Sequence, residues 1–194
     1  MKWRARDSSW LIRNKDFPSL RPEDFKCQSD PETDYNCIAW AARRTDKKWW
    51  PTPTAPYFWP PGLPKKPVHI AENAANFIRA FEREGYRSCR SDRFSWWHEK
   101  VAIYIGKDGR VKHMARRLSN GMWTSKLGIA EDIDHRNLSC IEGGLYGIVK
   151  VVLKRKWPED DKPKLRKFIW FPLKFSKKTP RGFSPIPKSI QIVS

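Results

Sequence analysis

The chain lacks closely spaced cysteines. Its four cysteines lie far apart in the sequence, and no two of them form a C-x-x-C pair; they are Cys27, Cys37, Cys89 and Cys140. This spacing argues against a zinc ribbon and against a dense disulfide scaffold, and it predicts reduced thiols. The four histidines add no close ligand spacing. We therefore expect neither a metal nor a cofactor.

The chain also lacks a long apolar run. The first segment, MKWRARDSSWLIRNKD, is interrupted by charge every few residues and has no signal-peptide core. No other run approaches the length that a membrane-spanning helix needs. The sequence thus predicts a cytoplasmic protein without a membrane span.

Negative charge is scarce. Lysine and arginine outnumber aspartate and glutamate by 39 to 21, which gives a formal net charge of +18. Residues 151–194 alone hold 12 basic and 3 acidic side chains. Such a field attracts anionic partners, so the basic tail predicts binding to nucleic acid or to an acidic protein. The alternative is that these lysines form a solvated face that keeps an aromatic-rich chain in solution.

Length and aromatic content favour one folded domain with appendages. The chain has 194 residues, 39% of them hydrophobic, with 11 tryptophans. We divide it into an irregular lead-in over 1–33, an α+β domain over 34–153 and a basic, proline- and lysine-rich tail over 154–194.

Helical patterns come first along the domain. The segment 34–45 predicts a short buried helix with Asp34 as its cap, and Cys37 falls in its first turn. Apolar residues recur at helical spacing over 69–85, where Gly85 suits the terminating position.

Strand patterns follow the helices. The segment 99–127 predicts a three-stranded antiparallel meander, with turns at 107–109 and at Asn120-Gly121. We predict an acidic turn over 131–135 and a further strand over 145–153. Helices followed by strands indicate an α+β fold.

Cys37 is the best candidate nucleophile. The first turn of a helix stabilises a thiolate, so Cys37 is predicted to be the most reactive of the four cysteines. A general base is needed beside it, and strand alternation places His113 with Val111 and Ala115 on one face, where the imidazole can meet a packed helix. The alternative is that Cys37 is a small buried hydrophobe and His113 a hydrogen-bonded sheet residue.

Three sequence blocks carry a family resemblance. DYNCIAWA, KVAIYIGKDGRVKHMA and NGMWTSKLG resemble the cysteine helix and following hairpin of the papain-like superfamily, in particular the NlpC-type cell-wall peptidases. They are also similar to an uncharacterised bacterial domain family with the same blocks. The resemblance spans about residues 34–150. It implies a papain-like core and a thiol hydrolase that attacks peptide or amide bonds.

One position departs from that resemblance. NlpC-type enzymes carry their catalytic histidine at the start of the strand that corresponds to KVAIYIG, where this sequence has Lys100. Either His113 has become the base, or His98 reaches the site through a bulge, or the site is inactive.

The remaining catalytic roles have several candidates. Asp132 is the preferred third member because a carboxylate stabilises an imidazolium, with Ser125 and Thr124 as alternatives. Asn36 is the side-chain candidate for the oxyanion hole beside the backbone N–H of Cys37. Asp132 is equally consistent with a turn aspartate, and Asn36 with a helix cap.

The tryptophan- and proline-rich segment 49–67 predicts an extended, aromatic-lined loop. Its aromatic residues are candidates for the wall of a substrate cleft, and they are Trp49, Trp50, Tyr57 and Trp59. The alternative is that they pack over the core.

Two functions follow from the sequence. The first is a papain-like cysteine hydrolase, a peptidase or amidase, with Cys37 as nucleophile and His113 as base. The second is a catalytically inactive papain-like fold that serves as a basic module binding nucleic acid or protein.

Overall fold

The computed structural model describes residues 17–164. Its strands are β1 (Phe25–Cys27), β2 (Arg87–Cys89), β3 (His98–Ile105), β4 (Val111–Arg117), β5 (Trp123–Lys126), β6 (Asp132–His135) and β7 (Ile148–Lys156). The α-helices are α1 (Cys37–Ala41), α2 (Val68–Ala71) and α3 (Ala74–Arg83). Short 3-10 helices occupy Pro22–Asp24, Leu138–Ile141 and Glu159–Asp161.

The seven strands form one antiparallel sheet in the order β1-β6-β5-β4-β3-β7-β2. Strands β3 to β6 are a meander in chain order, as predicted for its first three members. Strand β7 then returns to pair with β3, and β2 lies at the outer edge. The molecule is therefore a mixed α+β fold built on an antiparallel sheet.

The sheet separates two apolar cores. On the helix face, α1 and α3 pack against the sheet through a cluster that includes Ile38, Phe77, Val101 and Met114. On the far face, a second cluster includes Phe17, Tyr104, Trp123, Ile133 and Leu138. Because side chains alternate along a strand, each apolar residue of β3 and β4 belongs to one core or the other.

Helix α1 is shorter than the sequence predicts. Its N-cap is Asn36, whose side chain accepts a hydrogen bond from the Ala39 N–H, and Asp34 does not cap it. The helix ends at Ala41, and Arg43 then adopts a positive φ of 63°, which a right-handed helix cannot contain. The predicted helix over 34–45 is thus a helix of five residues.

The predicted helix over 69–85 is interrupted. Asn73 has extended backbone geometry and caps α3 by accepting from the Asn76 N–H at 2.9 Å, so α2 and α3 are separate. Gly85 adopts φ 83° after the end of α3, as its position predicted.

The acidic segment 131–135 is a strand rather than a turn. Its alternation puts Asp132 on the helix face, where the Tyr35 hydroxyl donates to it, and Ile133 and His135 in the far face. The pattern was not apparent because the buried position 135 is a histidine, whose ring hydrogen-bonds to Ser125 and to a backbone carbonyl. Strand β6 also pairs with β1, which lies in the predicted lead-in.

Parts of two predicted segments lie outside the described residues, namely 1–16 of the lead-in and 165–194 of the tail. The first residues assigned to the tail, 154–156, belong to β7. Across 17–164, no helix is both long enough and apolar enough to cross a membrane. Nor does any group of three potential metal-ligating side chains occur in this range.

Candidate functional site

Cys37 begins α1 with its thiol buried in the helix-face core. The backbone N–H groups of Met114, Ile38 and Cys37 itself lower the pKa of the thiol. Burial has the larger effect and raises that pKa to about 11. A thiol with this pKa is protonated at neutral pH, so Cys37 lacks the thiolate that a nucleophile needs.

His113 is fully buried in the far-face core. Its ring stacks on Tyr146 with centroids 4.2 Å apart and meets Tyr104 edge-on at 5.3 Å. Within residues 17–164, neither ring nitrogen has a hydrogen-bond partner. Burial, with a smaller contribution from His135, lowers the pKa of His113 to about 3. The imidazole is neutral and enclosed by aromatic rings.

The structure does not bring Cys37 and His113 together. Cys37 packs with Met114 on the helix face, whereas His113 contacts the far-face residue Tyr104. A β-bulge also separates Val111 from His113: Tyr104 pairs with His113 and Ile105 with Val111, so Lys112 is an extra residue in β4. The bulge moves Val111 to the helix face and leaves His113 on the opposite face.

The other predicted catalytic residues also have different partners. Asp132 accepts a hydrogen bond from the Tyr35 hydroxyl at 2.6 Å rather than from His113. Ser125 contacts the ring of His135 at 2.9 Å. Thr124 accepts from the indole N–H of Trp40 at 3.2 Å. None of the three orients His113.

Asn36 is a structural cap. Its side-chain oxygen accepts from the backbone N–H groups of Ala39 and Trp49, each at 3.1 Å, and its amide donates to the Trp49 carbonyl at 2.8 Å. These bonds join the start of α1 to the loop at 49. The cap interpretation accounts for Asn36 without an oxyanion role.

The aromatic loop packs over the helices. Trp49 and Trp59 are buried, Trp59 meets Phe77 at 4.9 Å, and the Trp50 indole N–H donates to Glu72. Tyr57 is 40% exposed. The burial of Trp49 and Trp59 fits the alternative that these rings pack over the core, and their role in a substrate cleft stays a prediction.

A buried carboxylate that the sequence analysis missed lies at the start of β3. Glu99 is fully buried on the helix face, where it accepts from Arg43 at 2.7 Å, from Arg155 at 2.9 Å and from the Tyr86 hydroxyl at 2.9 Å. A guanidinium nitrogen of Arg116 lies 3.6 Å away. The negative charge of Glu99 is therefore neutralised by arginines on the helix face.

Basic residues line up on the far face at the same end of the sheet. Lys100 pairs with Lys154 across β3 and β7, and Lys154 pairs with Arg87 across β7 and β2. Paired residues point to the same face, so three cations form a row across three strands. His98 and Lys156 pair one step closer to the end of the sheet. We call the four cations Arg87, Lys100, Lys154 and Lys156 the cationic edge.

Within residues 17–164, the cationic edge has no countercharge at contact distance. Among the ion pairs within residues 17–164, none includes any of its four members. The Lys100 ammonium donates to the carbonyls of Ser91 and Arg93, which carry no net charge. Like charges placed directly opposite each other destabilise a sheet. The described residues therefore hold four cations at one end of the sheet without an ion-pair partner, while the charge of Asp92 acts on Lys100 from outside contact distance.

The imidazole of His98 experiences this field. Partial burial lowers its pKa, and the charges of Lys154, Arg87, Lys100 and Lys156 lower it further. All four members of the cationic edge therefore lower the pKa of the same residue, His98 at the start of β3.

Residues 26–154 match the family described as "Domain of unknown function (DUF7689)". The chain belongs to this family. No curated protein and no solved structure matches the chain.

The DUF7689 match covers the whole meander and most of β7. It includes Arg87, Lys100 and Lys154, and it ends two residues before Lys156. The row of three cations is thus part of the DUF7689 domain itself rather than of the basic tail.

Proposed function

We propose that the DUF7689 domain is a non-catalytic module that binds nucleic acid through the cationic edge. The observation that carries this proposal is the row of three paired cations across β3, β7 and β2, with Lys156 one step further along β7. Phosphate groups are the anions that such a site would take, because lysine and arginine neutralise a nucleic-acid backbone and release its counterions. The binding function is the second of the two that the sequence suggests.

Strand geometry supports phosphate binding. Neighbouring strands lie about 4.8 Å apart, so the row from Lys100 through Lys154 to Arg87 extends roughly 10 Å across the sheet. Arg87 and Lys156 are exposed and Lys154 is half-buried, whereas Lys100 is buried and acts through its field. Three side chains are therefore available for direct contact.

The geometry gives less support to the hydrolase hypothesis. A papain-like mechanism needs a thiolate and an imidazole within hydrogen-bond reach, and Cys37 and His113 pack in different cores. Papain-like ancestry of the α+β fold stays a prediction. We place the function at the cationic edge instead.

A charge-reversal pair tests the proposal. We expect Lys154→Glu with Lys156→Glu to weaken binding of a fluorescent 20-nucleotide strand at least tenfold, measured by anisotropy on the full chain. Loss of two phosphate contacts should also reduce the slope of log K against log salt by about 1.4. Circular dichroism and thermal melting verify that the variant folds.

The matched control is Lys65→Glu with Lys66→Glu. Both residues are exposed in the proline-rich loop, and the pair changes the net charge by the same amount. Equal weakening by the two pairs would mean that only net charge matters, and the cationic edge would lose its role. If polyglutamate displaced the strand at equal charge concentration, the result would favour an acidic protein as the partner.

A further inference from the structure

Two exposed indoles lie beside the cationic edge. Trp97 is 79% exposed and Trp96 is 44% exposed, and Trp97 directly precedes His98. Tryptophan is on average a well-buried residue, so a ring with this exposure is informative. No other large hydrophobic residue in the described part of the chain is as exposed as Trp97.

The backbone that carries Trp97 is held in place. Its N–H donates to the Ser95 hydroxyl at 3.3 Å, and its carbonyl accepts from the Trp157 N–H at 3.4 Å. Trp157 is itself buried, and its indole donates to the Ser95 carbonyl. The Trp97 ring is therefore presented from a fixed position at the end of the sheet.

Trp97 differs from its neighbour in its contacts. Trp96 meets Phe94 edge-on, with centroids 5.6 Å apart. Within residues 17–164, Trp97 makes no contact with another aromatic ring, and no cation of this range lies over it. Its faces are free to receive a flat partner.

Whether a nucleic acid can stack a base on such a ring depends on whether it is single-stranded or double-stranded. Bases in a duplex are stacked on each other and hide their faces, whereas bases in a single strand can stack on an aromatic side chain. Cations that track the backbone, combined with exposed aromatic rings, are the usual basis of single-strand binding. Trp97 directly precedes His98, and His98 pairs with Lys156 of the cationic edge.

We propose that the cationic edge takes single-stranded nucleic acid, with one base stacked on Trp97. This inference rests on the proposed function. Phosphates on either side of that base would lie against Arg87, Lys154 and Lys156. Stacking is tolerant of sequence because every base has a π face, so we expect preference for strand state rather than for sequence.

The test compares Trp97→Ala with Trp97→Phe in the full chain. The probes are a fluorescent 12-nucleotide mixed-sequence strand and the same strand annealed to its complement. We expect Trp97→Ala to weaken single-strand binding about fivefold to a hundredfold and to change duplex binding less than twofold. Trp97→Phe keeps a ring and should recover most of the affinity. Tyr57→Ala, which removes an exposed ring elsewhere, should have no effect.

The outcomes separate this inference from the proposed function. If Trp97→Ala leaves single-strand affinity unchanged, or weakens single strand and duplex equally, the stacking inference is overturned. If Lys154→Glu with Lys156→Glu still weakens binding in those cases, nucleic-acid binding by the cationic edge survives. If that charge reversal has no effect beyond its control, the proposed function fails and the stacking inference fails with it.

Discussion

At the scale of single residues, exposure decides which thiol reacts. Cys37 and Cys140 are buried and burial raises the pKa of each thiol, whereas Cys27 and Cys89 are half-buried. The position of Cys37 in a helical turn predicted reactivity, but that argument omits the cost of forming a thiolate in an apolar core.

We therefore expect iodoacetamide at pH 7 to modify Cys27 and Cys89 at least tenfold faster than Cys37. With a pKa of about 11, only about one Cys37 thiol in ten thousand is ionised at that pH. Peptide mass spectrometry of the folded protein at several times gives the four rates, and the urea-unfolded chain provides the reference. Fastest labelling at Cys37 would revive the nucleophile assignment.

At the scale of elements, the periodic patterns were predictable and their interruptions were not. The alternation of residues 99–105 and the Asn120-Gly121 turn indicate the meander, which the structure contains. Asn73 breaks the second predicted helix because its side chain satisfies a backbone N–H, a local competition that apolar spacing does not reveal.

Strand β4 contains another such interruption. Strict alternation requires Val111 and His113 to share a face, and the extra residue Lys112 removes that condition. The sequence contains no proline or glycine at 112 that would mark a bulge. The cationic edge was missed for a different reason, since its row exists only through the pairing of β2, β7 and β3, which are distant in sequence.

A substitution at Glu99 tests whether its ion pairs hold these elements together. Replacing it by glutamine keeps the shape but places an amide donor among the guanidiniums of Arg43, Arg155 and Arg116. Breaking a buried pair from one side typically costs several kcal/mol, so we expect Glu99→Gln to lower the free energy of unfolding by about 3 kcal/mol. Urea denaturation followed by circular dichroism measures it.

The matched control is Glu159→Gln, which removes an exposed pair with Lys162. Exposed ion pairs contribute little, so no measurable change is expected. If Glu99→Gln were equally silent, the network would not anchor β3, and the fixed end of the sheet beside Trp97 would need another explanation.

At the scale of the whole molecule, positive charge is distributed between the sheet and the tail. Residues 165–194 contain seven basic and no acidic side chains, and they lie outside the described residues. Composition alone therefore predicted that the tail binds an anionic partner. The antiparallel pairing adds a second source of charge within the DUF7689 domain, in a row that crosses three strands.

Under the proposed function, we expect binding to depend on pH through His98. In the free protein, partial burial lowers the pKa of His98, and the charges of Lys154 and Lys156 of β7, Arg87 of β2 and Lys100 of β3 lower it further, so the imidazole is neutral at pH 7. A bound phosphate opposes these cations and raises that pKa. The complex therefore takes up a proton, and affinity should increase as pH falls through the interval between the two pKa values.

We expect the His98 ring protons to titrate by NMR at a pH below the usual histidine range, and at a higher pH in the presence of a 12-nucleotide strand. His113 and His135, with pKa values of about 3 and about 4, are buried and should stay neutral throughout. His98→Ala should remove the increase in affinity between pH 7 and pH 5.5 while sparing binding at pH 7.5. An unchanged His98 titration on adding the strand would show that no phosphate reaches the start of β3.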